Sequence, residues 1–187
     1  METTSHICPV WIGYILANPL RKLFENPSRI LAPYVRQGMK ILEIGPAMGY
    51  FSIPLAKMTG KTGKVYCVDV QEKMLEKLSK RAERKGVKNE IVLHLANPDS
   101  QNIAFLKEQI DFCLLAHVVH EVPDRFILLT EVADSLKTGA KVLLIEPKGH
   151  VDEPAWKETL EIVEKCGFSL HETETVKRNR AMELRKL

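Results

Sequence analysis

Ile41-Leu-Glu-Ile-Gly-Pro-Ala-Met-Gly-Tyr50 decides the fold. Apolar residues of a buried strand run into a tight turn of small residues, and the turn opens a helix. The small residues Gly45, Ala47 and Gly49 fall at i, i+2 and i+4. A dinucleotide-binding turn wants them at i, i+2 and i+5, where this chain has Tyr50, so hydride chemistry is the weaker expectation. A nucleotide-like ligand still fits such a turn. Glu43, two residues before Gly45, aims a carboxylate at the same crevice, where a cationic or amine-bearing ligand is favoured. Pro46 has no N–H to donate, and Ala47 crowds the turn only slightly if its φ is negative.

Outward from the turn, strands and helices alternate with the rhythm of a parallel sheet covered on both faces. Strands are expected at residues 39–44, 64–70, 90–95, 110–116 and 141–146, with helices at 51–58, 72–85, 125–136 and 153–165 between and after them. The second helix puts Met74, Leu75, Leu78 and Ala82 on one face at spacings of three and four, and Gly86 stops it. Lys137-Thr-Gly139 reads as the close of the third. Residues 168–187 suggest two terminal strands in an antiparallel pair. The expected fold is therefore α/β, a Rossmann-like, seven-stranded, mostly parallel sheet. Residues 1–35 form an N-terminal helical lid or substrate segment and residues 36–187 the ligand-binding domain.

The run acid-x-Gly-x-small-x-Gly, from Glu43 to Gly49, resembles the first motif of class I S-adenosylmethionine-dependent methyltransferases, and the likeness extends over nearly the whole chain. It implies S-adenosylmethionine as cofactor. It also implies that Glu43, Gly45, Ala47 and Gly49 lie at the methionine end and that Asp69, closing strand two, takes the ribose hydroxyls. Gln71 and Asn97 then border the adenine, and the backbone of Ala116 and His117 holds the methionine portion. Each has a plainer alternative: a carboxylate tucked against a lysine for Glu43, a helix cap for Asp69 or Gln71, a turn before Pro98 for Asn97.

A sulfonium already carries a good leaving group, so the protein has mainly to align the acceptor and take its proton. His120 after strand four, His150 after strand five and Cys8 near the N-terminus are the candidate catalytic residues, with Glu121 as an acid beside His120. Satisfied helix-entrance histidines look the same in sequence. Two ligands one residue apart, His6 and Cys8, are a poor basis for a metal site, and none is expected. His94 and His171 read as structural. Trp11, Tyr14 and Tyr50 can line an acceptor pocket or seal a core.

The composition limits the partners. With 187 residues, 45% of them apolar, the chain buries one core. Twenty-seven basic against 24 acidic residues, a net charge of +3, give no general footprint for nucleic acid, although the stretch from Lys177 to Lys186 is locally basic. Base-amine methylation is further disfavoured, because Ala-His-Val-Val-His stands where an Asn/Asp-Pro-Pro-aromatic run would follow strand four. Four unpaired-looking cysteines suit a reducing cytoplasm, and the run from Ile7 to Leu20, broken by Pro9 and Pro19, is too short to span a bilayer. With no domain inserted between strands, the expected partner is a small-molecule methyl acceptor, bound by a monomer or homodimer. A non-catalytic S-adenosylmethionine-binding or interaction protein, and an RNA or protein methyltransferase, are the alternatives.

Overall fold

The computed structural model describes residues 26–173, 176 and 179–187. Asn26 caps a short helix, α1 (Pro27–Leu31), its Oδ1 accepting the Ser28 amide at 3.1 Å. The alternation then runs β1 (Lys40–Ile44), α2 (Ser52–Thr59), β2 (Lys64–Asp69), α3 (Glu72–Arg84), β3 (Ile91–Leu95), β4 (Ile110–Ala116), α4 (Arg125–Ser135), β5 (Leu136–Glu146) and α5 (Glu153–Lys165). Two further strands, β6 (Phe168–His171) and β7 (Arg180–Lys186), complete one seven-stranded sheet in the order β3-β2-β1-β4-β5-β7-β6. The first five strands pair in parallel, and β7 is antiparallel to both β5 and β6. The predicted mixed sheet with an antiparallel C-terminal pair is the observed one.

Parallel strands with helices on both sides must be apolar on both sides, and successive residues here divide between two cores. Leu42, Ile44, Cys113, Leu115, Val142 and Leu144 meet Leu128, Leu129 and Val132 of α4 and Trp156 and Val163 of α5. Their neighbours Ile41, Val65, Cys67, Phe112, Leu114, Leu143 and Ile145 meet Leu31, Leu55, Ala56, Leu78 and Ala82 of α1, α2 and α3. Leu114 is wholly buried at the centre. Truncating such a side chain to alanine costs about 2–5 kcal/mol. Cys67 and Cys113 carry free thiols inside this core, as expected of filler.

One boundary differs. Lys137-Thr-Gly139, expected to close a helix, lies inside β5. Leu136 is fully buried and pairs with Ile110, so the chain enters the sheet directly from α4, and the register shifts between Ile110 and Phe112. Among the described residues no helix is long and apolar enough to cross a membrane.

The chain winds outward from β1 to β3 in one direction and from β4 to β5 in the other. A crevice must open at the carboxyl ends of β1 and β4, where the order reverses.

Candidate active site

That crevice exists, and the ends of β1, β2 and β4 line it with Glu43, Gly45, Ala47, Tyr50, Asp69, Gln71, Ala116 and His117. Pro98 and Gln101 close the side toward β3, and Val118, Glu121 and Pro123 close the side toward α4. No lysine or arginine is among the described lining residues.

The turn after β1 is built by close approach. A Cβ on Gly45 would stand 2.9 Å from Cγ2 of Val118, in the segment after β4, and one on Gly49 would stand 2.3 Å from Cδ1 of Leu78, on α3. Gly45 therefore lets the two halves of the crevice touch. Gly49 lies outside the lining and lets the turn seat on α3, where the Arg81 guanidinium also donates to the Met48 carbonyl. Ala47 does not have the negative φ that would make it harmless: its φ is +46°. A left-handed alanine costs about 1–2 kcal/mol, held here by the surrounding contacts.

Glu43 is 3% exposed, and the Cys67 Sγ donates to its Oε2 at 3.8 Å. Burial raises its carboxyl to about 7; the Ser52 hydroxyl and the Cys67 thiol oppose the shift and the charge of Asp69 adds to it. Among the described residues, no lysine partners Glu43. Asp69 is also raised, first by burial, against the opposing amides of Gln71, Ala47 and Val70. Its Oδ1 accepts the Gln71 amide at 2.9 Å. The same carboxylate thus faces the crevice and ties the end of β2 to the glycine turn. Gln71 occupies the N-cap position of α3 without a side-chain capping bond, and its side chain borders the crevice.

A second group sits where β4 and β5 end. Ala116 closes β4, and His117 reverses the chain with φ +59°. Glu146, the last residue of β5, is 1% exposed; its Oε1 accepts the Val119 amide at 2.9 Å and its Oε2 contacts Nδ1 of His120. On the other side of the ring, His120 Nε2 lies 3.9 Å from Oε1 of Glu121. The His150 ring meets that of His120 edge-on, with centroids 5.8 Å apart. Burial pulls the His120 pKa down, but the hydrogen bond and charge of Glu146, with Glu121, prevail and leave it raised.

Thus β1, β2 and β4 assemble most of the predicted crevice residues, while His120 and His150, neither of them in the lining, lie together, with His120 beside Glu121. Asn97 is not in the lining; it bridges back to Ser100, and its neighbours Pro98 and Gln101 take that wall. Cys8, His6, Trp11, Tyr14 and most of the 1–35 segment lie outside the described residues. Glu146 was missed. Its signal was available, an acid at the carboxyl end of a core strand like Glu43 and Asp69, but its partner is 26 residues away. Among the described residues, no three His, Cys, Asp or Glu side chains converge on a metal position.

The crevice fits a cationic sulfonium ligand: two buried acids, no lysine or arginine among the described lining residues, and a turn in which a Cβ at Gly45 would meet its neighbour. Sequence comparison agrees. The model of a family described as a methyltransferase domain matches residues 42–144, more than half of the chain. The chain belongs to the class I S-adenosylmethionine-dependent methyltransferase family. It is 33% identical over 113 residues to a demethylmenaquinone methyltransferase of Staphylococcus aureus, a match spanning 60% of this chain and 44% of the relative. The chain therefore spans less than half the length of the curated relatives it matches. In fold it is similar to a SAM-dependent methyltransferase from Aquifex aeolicus, with a TM-score of 0.82 over 96% of this chain and 98% of that one at 24% identity. An O-methyltransferase from Thermotoga maritima aligns with a TM-score of 0.64 over 90% of this chain and 65% of the other at 16% identity.

Proposed function

We propose that this methyltransferase transfers a methyl group to a small uncharged acceptor lying over the ends of β4 and β5, with His120 taking the acceptor's proton. S-adenosylmethionine, when bound, supplies the electrophilic methyl carbon. Glu43 and Asp69 hold the donor: Glu43 offers a carboxylate to its positive end, and Asp69 an acceptor for paired hydroxyls. The turn from Gly45 brings backbone close to the ligand, and Gln71, with Pro98 and Gln101, walls the far end.

The carrying observation is the placement of His120 within the segment that closes the crevice, held by Glu146 and beside the lining residue Glu121. An imidazole there accepts a proton near neutral pH. The name of the Staphylococcus relative, a demethylmenaquinone methyltransferase, supports a quinone-type small-molecule acceptor. A phosphate-bearing acceptor such as RNA calls for cations, which the described lining lacks.

The test is calorimetric titration with S-adenosylmethionine, S-adenosylhomocysteine and NADH, followed by a screen for S-adenosylhomocysteine release with a reduced naphthoquinone, a catechol and a thiol. Micromolar binding of the first two without NADH, and turnover of a hydroxylated ring, are the expected results. Turnover of none of the acceptors by donor-loaded protein would defeat the acceptor assignment, and failure to bind the donor would defeat the reading altogether.

A further inference from the structure

Glu146 is more deeply buried than Glu43, yet it faces no part of the crevice. It sits under the segment that follows β4, with one oxygen on the Val119 amide and the other on His120. Both acceptor oxygens are thereby engaged by donors on a single loop. A carboxylate so placed demands hydrogen at Nδ1, which leaves the lone pair of the neutral ring on Nε2. Nε2 lies on the side of Glu121, and Glu121 lines the crevice.

Resting on the methyl transfer proposed above, we propose that Glu146 and Glu121 bracket His120 as one acid–base unit, Glu146 the positioning residue that fixes proton acceptance at Nε2, and Glu121 the residue that receives the resulting positive charge on the crevice side. The groups facing His120 are Glu146 from β5, Glu121 from its own loop, His150 from the segment after β5, and Arg125 from the start of α4. Arg125 opposes the two acids, but its guanidinium is engaged by Glu158 at 3.0 Å.

The step balances without a further reagent. As the acceptor's nucleophilic atom bonds to the methyl carbon, the sulfur–methyl bond breaks and its electron pair stays on sulfur, which becomes neutral. The acceptor's proton moves to Nε2, and the imidazolium stands between two carboxylates. Loss of that proton to water restores the base. A carboxylate or phosphate fixed on the acceptor near Nε2 would be repelled by Glu121, so the unit selects uncharged, proton-bearing acceptors.

The first test needs no substrate. Long-range ¹H–¹⁵N NMR of the ligand-free full chain should find His120 with hydrogen on Nδ1 when neutral, titrating above the ordinary histidine value. In Glu146→Gln the ring should lose that tautomer preference and titrate lower by about one pH unit or more. In Glu121→Gln, which removes no backbone partner seen here, the shift should be in the same direction and smaller. With a turned-over acceptor, Glu146→Gln should lower kcat about ten- to a hundredfold. The acid limb of its rate profile should move with the NMR titration, calorimetric affinity for S-adenosylmethionine should stay within about twofold, and Glu146→Asp should recover part of the rate. Unchanged His120 titration in both glutamine variants would overturn the unit. So would a fall in kcat without movement of the pH profile, which marks a merely structural role. If the parent protein fails to bind S-adenosylmethionine, the methyl-transfer reading falls, while the two NMR titrations still decide whether the carboxylates bracket the ring.

Discussion

Two buried acids end two core strands, and they live differently. Glu43, at the end of β1, has among the described residues a thiol, a hydroxyl and another acid around it, and its carboxyl rises to about 7. Glu146, at the end of β5, has a backbone amide and an imidazole. A buried carboxylate without a cation is costly and stays so until a positive ligand arrives; one already joined to histidine is provided for in the empty protein. The first arrangement is built for binding charge and the second for moving a proton. One sheet supplies both because each strand end can be furnished independently of the core beneath it.

If that division of labour is right, removing the imidazole should have the largest effect. His120→Ala should lower kcat by about 10²–10⁴-fold while leaving the calorimetric affinity for S-adenosylmethionine within about twofold; a matching loss of affinity would erase the distinction between the two ends.

Glu43→Gln probes the other end. The carboxyl is raised from 4.5 to about 7, so the folded state binds more protons than the unfolded state between those values, and the stability of the empty protein falls as pH rises through that window. The amide removes the slope and should make the ligand-free variant more stable at pH 8, by an amount on the order of 2–3 kcal/mol, read as denaturant midpoints at pH 5 and pH 8. The same variant should lose its preference for S-adenosylmethionine over S-adenosylhomocysteine, whose sulfur is neutral. Stability independent of pH in the parent would contradict the isolation of Glu43.

Asp69→Ala should weaken donor binding by roughly 1–3 kcal/mol, measured by calorimetry, and should weaken the product equally, because it acts on no charge that differs between them. The smallest effect belongs to His150→Ala, whose ring only edges that of His120. A loss of a few-fold in kcat, with a shift of the His120 titration of at most a few tenths of a pH unit, is expected in a rate-versus-pH series.

Most of the fold was readable because buried strands, amphipathic helices and glycine stops leave local marks: residues 153–165 and the run from Lys64 were placed to within a residue. Leu136 escaped because nothing local says that it pairs with Ile110, a choice made by the core. The crevice was equally local in origin; Glu43, Asp69 and Gln71 each follow from a strand end. The His120–Glu146 contact was not readable, since it joins two strands whose adjacency exists only once the sheet order is known. Ala47 shows the limit from the other side. The sequence left its φ open, and the backbone takes the left-handed one, with its amide hydrogen-bonding to Asp69.

The position of β7 has a consequence for synthesis. It lies between β5 and β6, although it is translated after both, and among the described residues β6 pairs with no other strand. A nascent chain can therefore wind β1 to β5 and bring together the described crevice lining while the flank of β5 is still bare. Until residues 180–186 have left the ribosome, β6 has no neighbour to join, and that flank is open to any passing strand. The vulnerable interval in making this protein thus falls after the described lining of its crevice is in place.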